Sequence, residues 1–174
     1  LGFAATETDD VVFERLKSPA SVCVMGDPCS ENIGKVSAVN AVTETGDGTH
    51  IIKMLNSGPS GTMVFEPANL KISPGESVTF VPTDGGHNSA SIPGLIPEGV
   101  EPWEGGMSKE LKITFEKEGV YVYQCTPHVM MAMVGVITVG SPTNLEQIIN
   151  KSKDLQKGFM MNKDRLRGYL SEIK

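Results

Sequence analysis

At 174 residues, with 39% apolar and 21% charged residues, the chain can hold one ordinary core plus an extension. No apolar run approaches the roughly 18 residues of a membrane span, so no segment reads as one. The formal net charge of −6 argues against nucleic acid as a partner.

Residues 1–49 carry Asp or Glu at 7, 9, 10, 14, 27, 31, 44 and 47 against Arg15, Lys17 and Lys35, which is nearly all of the excess charge. Val11, Val12 and Leu16 could form a short helical face after Asp9-Asp10, ended by Ser18-Pro19. Residues 43–49, with Gly46-Asp47-Gly48, read as a turn or linker, and His50 as a linker residue. The segment is either a disordered acidic leader or an arm that packs on the domain or on a partner. Leu1-Gly2-Phe3-Ala4-Ala5 fits the end of a removed signal peptide or a mature N-terminus. Three cysteines is an odd number. Cys23 and Cys29 flank a turn-like loop that could bring their sulfurs together, which leaves Cys125 alone. An unpaired thiol in an oxidising compartment needs a reason, and metal ligation is one. The alternative is a reduced cytosolic protein with three free thiols.

Residues 50–140 read as short strands. Leu70 and Ile72, Val78 and Phe80, and Leu111, Ile113 and Phe115 alternate with polar residues, while residues 51–55, 120–123 and 134–139 are apolar or β-rich runs. Ser73-Pro74-Gly75, Asp84-Gly85-Gly86, Pro93-Gly94 and Lys117-Glu118-Gly119 punctuate them. The pattern predicts a mainly β protein, a β-sandwich. Residues 141–174 change period. Thr143 or Asn144 caps a segment with Leu145, Ile148, Ile149 and Leu155; Gly158 interrupts; Asn162 or a neighbour starts a second with Leu166, Tyr169, Leu170 and Ile173. Two amphipathic helices with solvated basic outer faces are predicted, lying on the sandwich.

Cys125-Thr126-Pro127-His128-Val129-Met130-Met131-Ala132-Met133 places a thiol, an imidazole and a thioether within nine residues. Thiolate plus imidazole suits copper or zinc, and a nearby Met sulfur shifts the choice to copper, because two His and one Cys with a weak axial Met is the blue-copper arrangement. The second imidazole is His87, in the loop Asp84-Gly85-Gly86-His87-Asn88 after a strand. Taken singly, each residue has an ordinary reading: the Met residues fill a core, Cys125 is a buried inert thiol, and a lone His is structural. A sandwich gathers loops at one end, so the two ligand segments can converge.

Cys-Thr-Pro-His followed by four residues and Met, with an upstream Gly-His-Asn, resembles the small blue-copper proteins, the cupredoxins, and among them the pseudoazurins. Met63-Val64-Phe65-Glu66-Pro67, Pro74-Gly75-Glu76, Ile96-Pro97-Glu98-Gly99 and Asn144-Leu145-Glu146-Gln147-Ile148 resemble pseudoazurin segments in the same order. The likeness runs from about Ile51 to the C-terminus and leaves the first segment unmatched. It implies a cupredoxin Greek-key sandwich over 50–140, C-terminal helices of the same domain over 141–174, and an N-terminal extension over 1–49. It implies one copper held by His87, Cys125, His128 and Met133. Asn88 would tie the two ligand loops together, Pro127 would lie in the ligand loop, and Met63 would sit beside the His128 imidazole rather than being a plain strand residue. The implied function is periplasmic one-electron transfer in denitrification, without catalysis by this chain. The implied partners are a copper nitrite reductase, another periplasmic reductase or a c-type cytochrome. Copper storage or delivery, and a permanent place as the electron-entry subunit of a larger oxidoreductase, are the alternatives. Pro127, Val129, Met130, Met131 and Ala132 are expected to form an exposed apolar collar around His128. The lysine ring typical of pseudoazurins is largely replaced, by Ser57, Gly85, Glu104 and Gln124, with Lys53 and Lys109 remaining.

Overall fold

The computed structural model describes residues 44–45 and 48–174. The Cys23–Cys29 pairing, the helical face at 11–16 and most of the acidic segment lie outside them. One sheet contains β1 (Glu44–Thr45), β2 (Thr49–Gly58), β5 (Ser77–Val81) and β7 (Leu111–Thr114) in that order, with β3 (Gly61–Glu66) also pairing with β2. The second runs β4 (Asn69–Ile72), β9 (Val134–Val139), β8 (Gly119–Gln124), β6 (Ala90–Ser91). Two parallel pairings, β2 with β5 and β4 with β9, sit among antiparallel ones. The architecture is a two-sheet β-sandwich with mixed pairing, as the strand pattern predicts.

The two sheets bury their faces differently. In β5, Val78 and Phe80 are buried while Ser77, Thr79 and Val81 are half-buried, as alternation requires. Every residue of β9 is buried, because one face meets the other sheet and the other meets the helices. Between the sheets, Phe65, Phe80 and Tyr123 pack edge-to-face, with the Phe65–Tyr123 centroids 4.7 Å apart. Tyr123 pairs across the ladder with Gly135, where a Cβ would lie 2.2 Å from the phenol oxygen, so only glycine leaves room for the ring.

His50 corrects the linker reading. It belongs to β2, pairs with Val78 and is buried, sharing the parity of Ile52 and Met54. Its Nε2 reaches Glu76 Oε2 at 3.2 Å, so a carboxylate partners a polar side chain at a core-facing position. The sheet also starts before residue 50, since Glu44 and Thr45 pair with His50 and Thr49.

α1 (Leu145–Lys157) and α2 (Arg165–Ser171) cover the second sheet with Ile148, Leu166 and Leu170, and Phe159 joins them from the connection. Asn144 stands at the N-cap of α1, yet its amide does not cap the helix: it accepts from Val120 N at 2.6 Å and donates to Val120 O at 3.0 Å. The helix is thereby pinned to β8. Ile149 is 38% exposed and does not share the packing face. α2 starts later than expected, at Arg165, because Asn162 adopts a left-handed conformation (φ 50°) outside it.

Candidate metal centre

His87 stands in the loop between β5 and β6, and the backbone on both sides of it is tied to Ser108. Gly86 N donates to Ser108 Oγ at 2.8 Å, and Ser108 N donates to His87 O at 2.8 Å. Gly86 takes φ 84°, which glycine adopts without steric penalty. Cys125 follows the last residue of β8 and precedes a 3-10 segment, Thr126–Met131, with Pro127 in its first turn and a break at His128 (φ −117°, ψ 16°). The segment stops at Ala132 in the left-handed region (φ 57°). The loop then closes on itself: Cys125 N donates to Met133 O at 2.9 Å, and Met133 N donates to His128 O at 3.2 Å.

These two loops bring three donor atoms into a triangle. His87 Nδ1 and His128 Nδ1 are 3.2 Å apart, and Cys125 Sγ lies 3.7 Å and 3.4 Å from them. The point equidistant from all three is about 2.0 Å from each, close to the usual metal–imidazole and metal–thiolate bond lengths of about 2.0–2.3 Å. The triangle therefore fits one metal ion. Met133 is fully buried and packs in the same core cluster as Cys125.

Protonation suits the same role. His87 Nε2 lies 2.8 Å from Asn56 Oδ1; with that oxygen as acceptor, Nε2 carries the proton and Nδ1 offers its lone pair to the triangle. Burial lowers the His87 pKa, the neighbouring His128 lowers it further, and Asp84 opposes the shift. Burial raises the Cys125 thiol, against hydrogen bonds from the backbone of Asn88 and His128. Metal binding must displace that proton, and the two backbone donors favour the thiolate that remains. Asn88 ties the loops together as expected: Oδ1 accepts from Thr126 N at 2.8 Å, and Nδ2 donates to Thr126 Oγ1 and Gly105 O.

Asn56, Arg165 and Ser108 are the residues that sequence reasoning missed. The β2–β3 ladder pairs Leu55 with Val64 and Ser57 with Thr62 but skips Asn56 and Met63. Met63 there has φ 49°, and Asn56 turns its amide to His87 while its N–H goes to Asp84 Oδ2 at 2.7 Å. Met63 itself is partly buried against the cluster that contains Cys125 and Met133. Arg165 donates to Met63 O, Ala132 O and Thr62 O at 3.0, 3.1 and 3.1 Å. One guanidinium thus binds the carbonyls of two left-handed residues, Met63 and Ala132. An asparagine in a strand is the one hint the sequence carried for this interruption.

The expected collar is only partly realised. Pro127, Met130 and Met131 are exposed, but Ala132 is fully buried and Val129 packs against the core between the helices and the second sheet, which holds Ile148, Phe159 and Leu166. The turn that returns the chain to β9 directs both inward.

Comparison with known proteins agrees with this geometry. The family model for copper binding proteins of the plastocyanin/azurin family matches residues 52–140. A pseudoazurin of Methylorubrum extorquens is 48% identical over 96 residues, covering 55% of this chain and 65% of that protein. A pseudoazurin of Paracoccus pantotrophus is 46% identical over 99 residues, covering 56% and 68%. The chain thus spans about two thirds of the length of these curated relatives, just under it for the first. The crystal structure of native pseudoazurin from Hyphomicrobium denitrificans superposes with a TM-score of 0.64 at 42% identity, over 72% of this chain and 98% of that one. With the Cys–His–His triangle and both loops in place, the chain belongs to the plastocyanin/azurin family of copper-binding proteins, and within it to the pseudoazurins.

Proposed function

We propose that the chain is a one-electron carrier in which His87 Nδ1, His128 Nδ1, Cys125 Sγ and the Met133 thioether hold one copper ion. The observation that carries this reading is the triangle of donors, two fully buried and one half-buried, already spaced for a single ion. Bound there, copper supplies the Cu(II)/Cu(I) couple. The chain's own part is to hold the donors still and keep water away. Asn88 clamps Thr126, Ser108 fixes the backbone around His87, and the Cys125–Met133 hydrogen bond closes the ligand loop. His128 is the least buried of the three donors, so its ring edge is the route between the site and a docked protein.

The partners proposed are redox proteins: a copper nitrite reductase or another periplasmic reductase as acceptor, and a c-type cytochrome as donor. The location proposed is the periplasm, a reading that membership of the pseudoazurins supports. Among the described residues no helix is long and apolar enough to cross a membrane. A delivery protein would need exchangeable donors, whereas Cys125 and Met133 are fully buried.

The visible spectrum of the copper-loaded chain tests the assignment. An intense absorption is expected, and Cys125→Ser should abolish it, because the band needs a copper–thiolate bond. A strongly coloured Cys125→Ser protein would falsify the ligand set.

A further inference from the structure

We propose that Met130, Met131, Met160 and Met161 form a second metal site, for a soft monovalent ion such as Cu(I), on the surface beside the buried donors. Met130 and Met131 end the 3-10 segment that carries His128. Met160 and Met161 come from the connection between α1 and α2. The Met130 carbonyl accepts from Met160 N at 2.8 Å and from Met161 N at 3.3 Å, and Asn162 Nδ2 donates to Met131 O at 3.3 Å. Two Met pairs distant in sequence are therefore held side by side by their backbones. Their side chains are 54%, 37%, 70% and 51% exposed.

Core filling does not account for them. Met54 shows what a core-filling Met looks like in this chain, at 0% exposure. An apolar docking face does not require thioethers, since Leu or Val offers the same apolar surface. What thioethers add is a soft donor, and soft donors select Cu(I). All four donors are neutral, which favours a monovalent soft ion over a hard divalent one. The nearby Arg165 guanidinium is already committed to three carbonyls. Met130 lies two residues from His128, so an ion held here waits beside the buried triangle. Passing it inward changes no oxidation state. The thioethers release the ion, and Cys125 exchanges its proton for it, the proton leaving to solvent.

The test is an anaerobic titration of the full chain with Cu(I) against a colorimetric Cu(I) chelator, read together with the methyl NMR signals of methionine. Two ions per chain are expected, one tight and one weaker, with the methyl signals of the four residues shifting as the weaker one binds. Replacing all four with Leu, which nearly conserves volume and so the fold, should remove only the weaker ion. Cys125→Ser should remove only the tight one, so failure of the buried site and failure of the surface site are read separately. A single ion in the unaltered chain, or a second ion that survives the Leu replacements, overturns the proposal. So does a Leu variant whose ion count is unchanged while its electron transfer to a reductase slows, because the face is then a protein-docking surface alone.

Discussion

Asn56 orients His87 through one hydrogen bond of 2.8 Å, and its own backbone N–H is held by Asp84. Removing the acceptor frees the ring to rotate and to carry its proton on either nitrogen. Asn56→Leu is therefore expected to weaken copper binding by about 10–100-fold, the usual cost of losing a group that supports a metal ligand. Chelator competition measures the loss, and an unchanged thermal midpoint of the metal-free protein separates it from misfolding. The four proposed ligands were legible in the sequence because Cys-x-x-His and a following Met recur at a fixed spacing, with His87 in a Gly-rich loop. Asn56 was not, because its role depends on a ladder that skips one rung. Skipping arises from the left-handed Met63 opposite, and a strand residue with positive φ leaves no local mark in sequence.

The ligand loop and α2 act as one element through Arg165. Sequence reading counts this residue among solvated basic positions of the second helix, and periodicity supports that, since Leu166 and Leu170 define the buried face. The structure instead turns the guanidinium towards the three carbonyls of Thr62, Met63 and Ala132. Hydrogen bonds to a charged group contribute about 1.5–3 kcal/mol each, net of the hydration they replace. Arg165→Met is expected to raise amide hydrogen exchange across 126–133 and to shift the reduction potential, while α1 exchange stays unchanged. Arg165→Lys should recover little, because an ammonium cannot reach three carbonyls with the fixed fork of a guanidinium. The sandwich and both helices were legible from period and punctuation. The start of α2 was not, since Asn162 looks like a cap yet its side chain serves Met131.

Across the whole molecule, charge and shape point to docking that depends little on electrostatic steering. Residues 50–140 hold five Lys/Arg against nine Asp/Glu, and Lys53 and Lys109 are both exposed. Steered association falls steeply with ionic strength, whereas apolar docking does not. Stopped-flow transfer to a reductase should therefore change little over a salt series, and Met131→Lys should slow it more than Lys109→Glu. A steep fall in rate with salt, abolished by replacing Lys53 and Lys109, means that a basic face survives. Ala132, expected in the collar, is unsuitable for this test, because a charge there enters the core. The hydrogen-bonded closure of the ligand loop reaches further. Gln124 and Val134 pair on one rung, with Cys125 to Met133 strung between them. Insertions or deletions between Cys125 and Met133 leave the register of β8 and β9 untouched. The segment is thus a cassette, in which metal properties can diverge among descendants of one scaffold while His87, on the other loop, stays fixed.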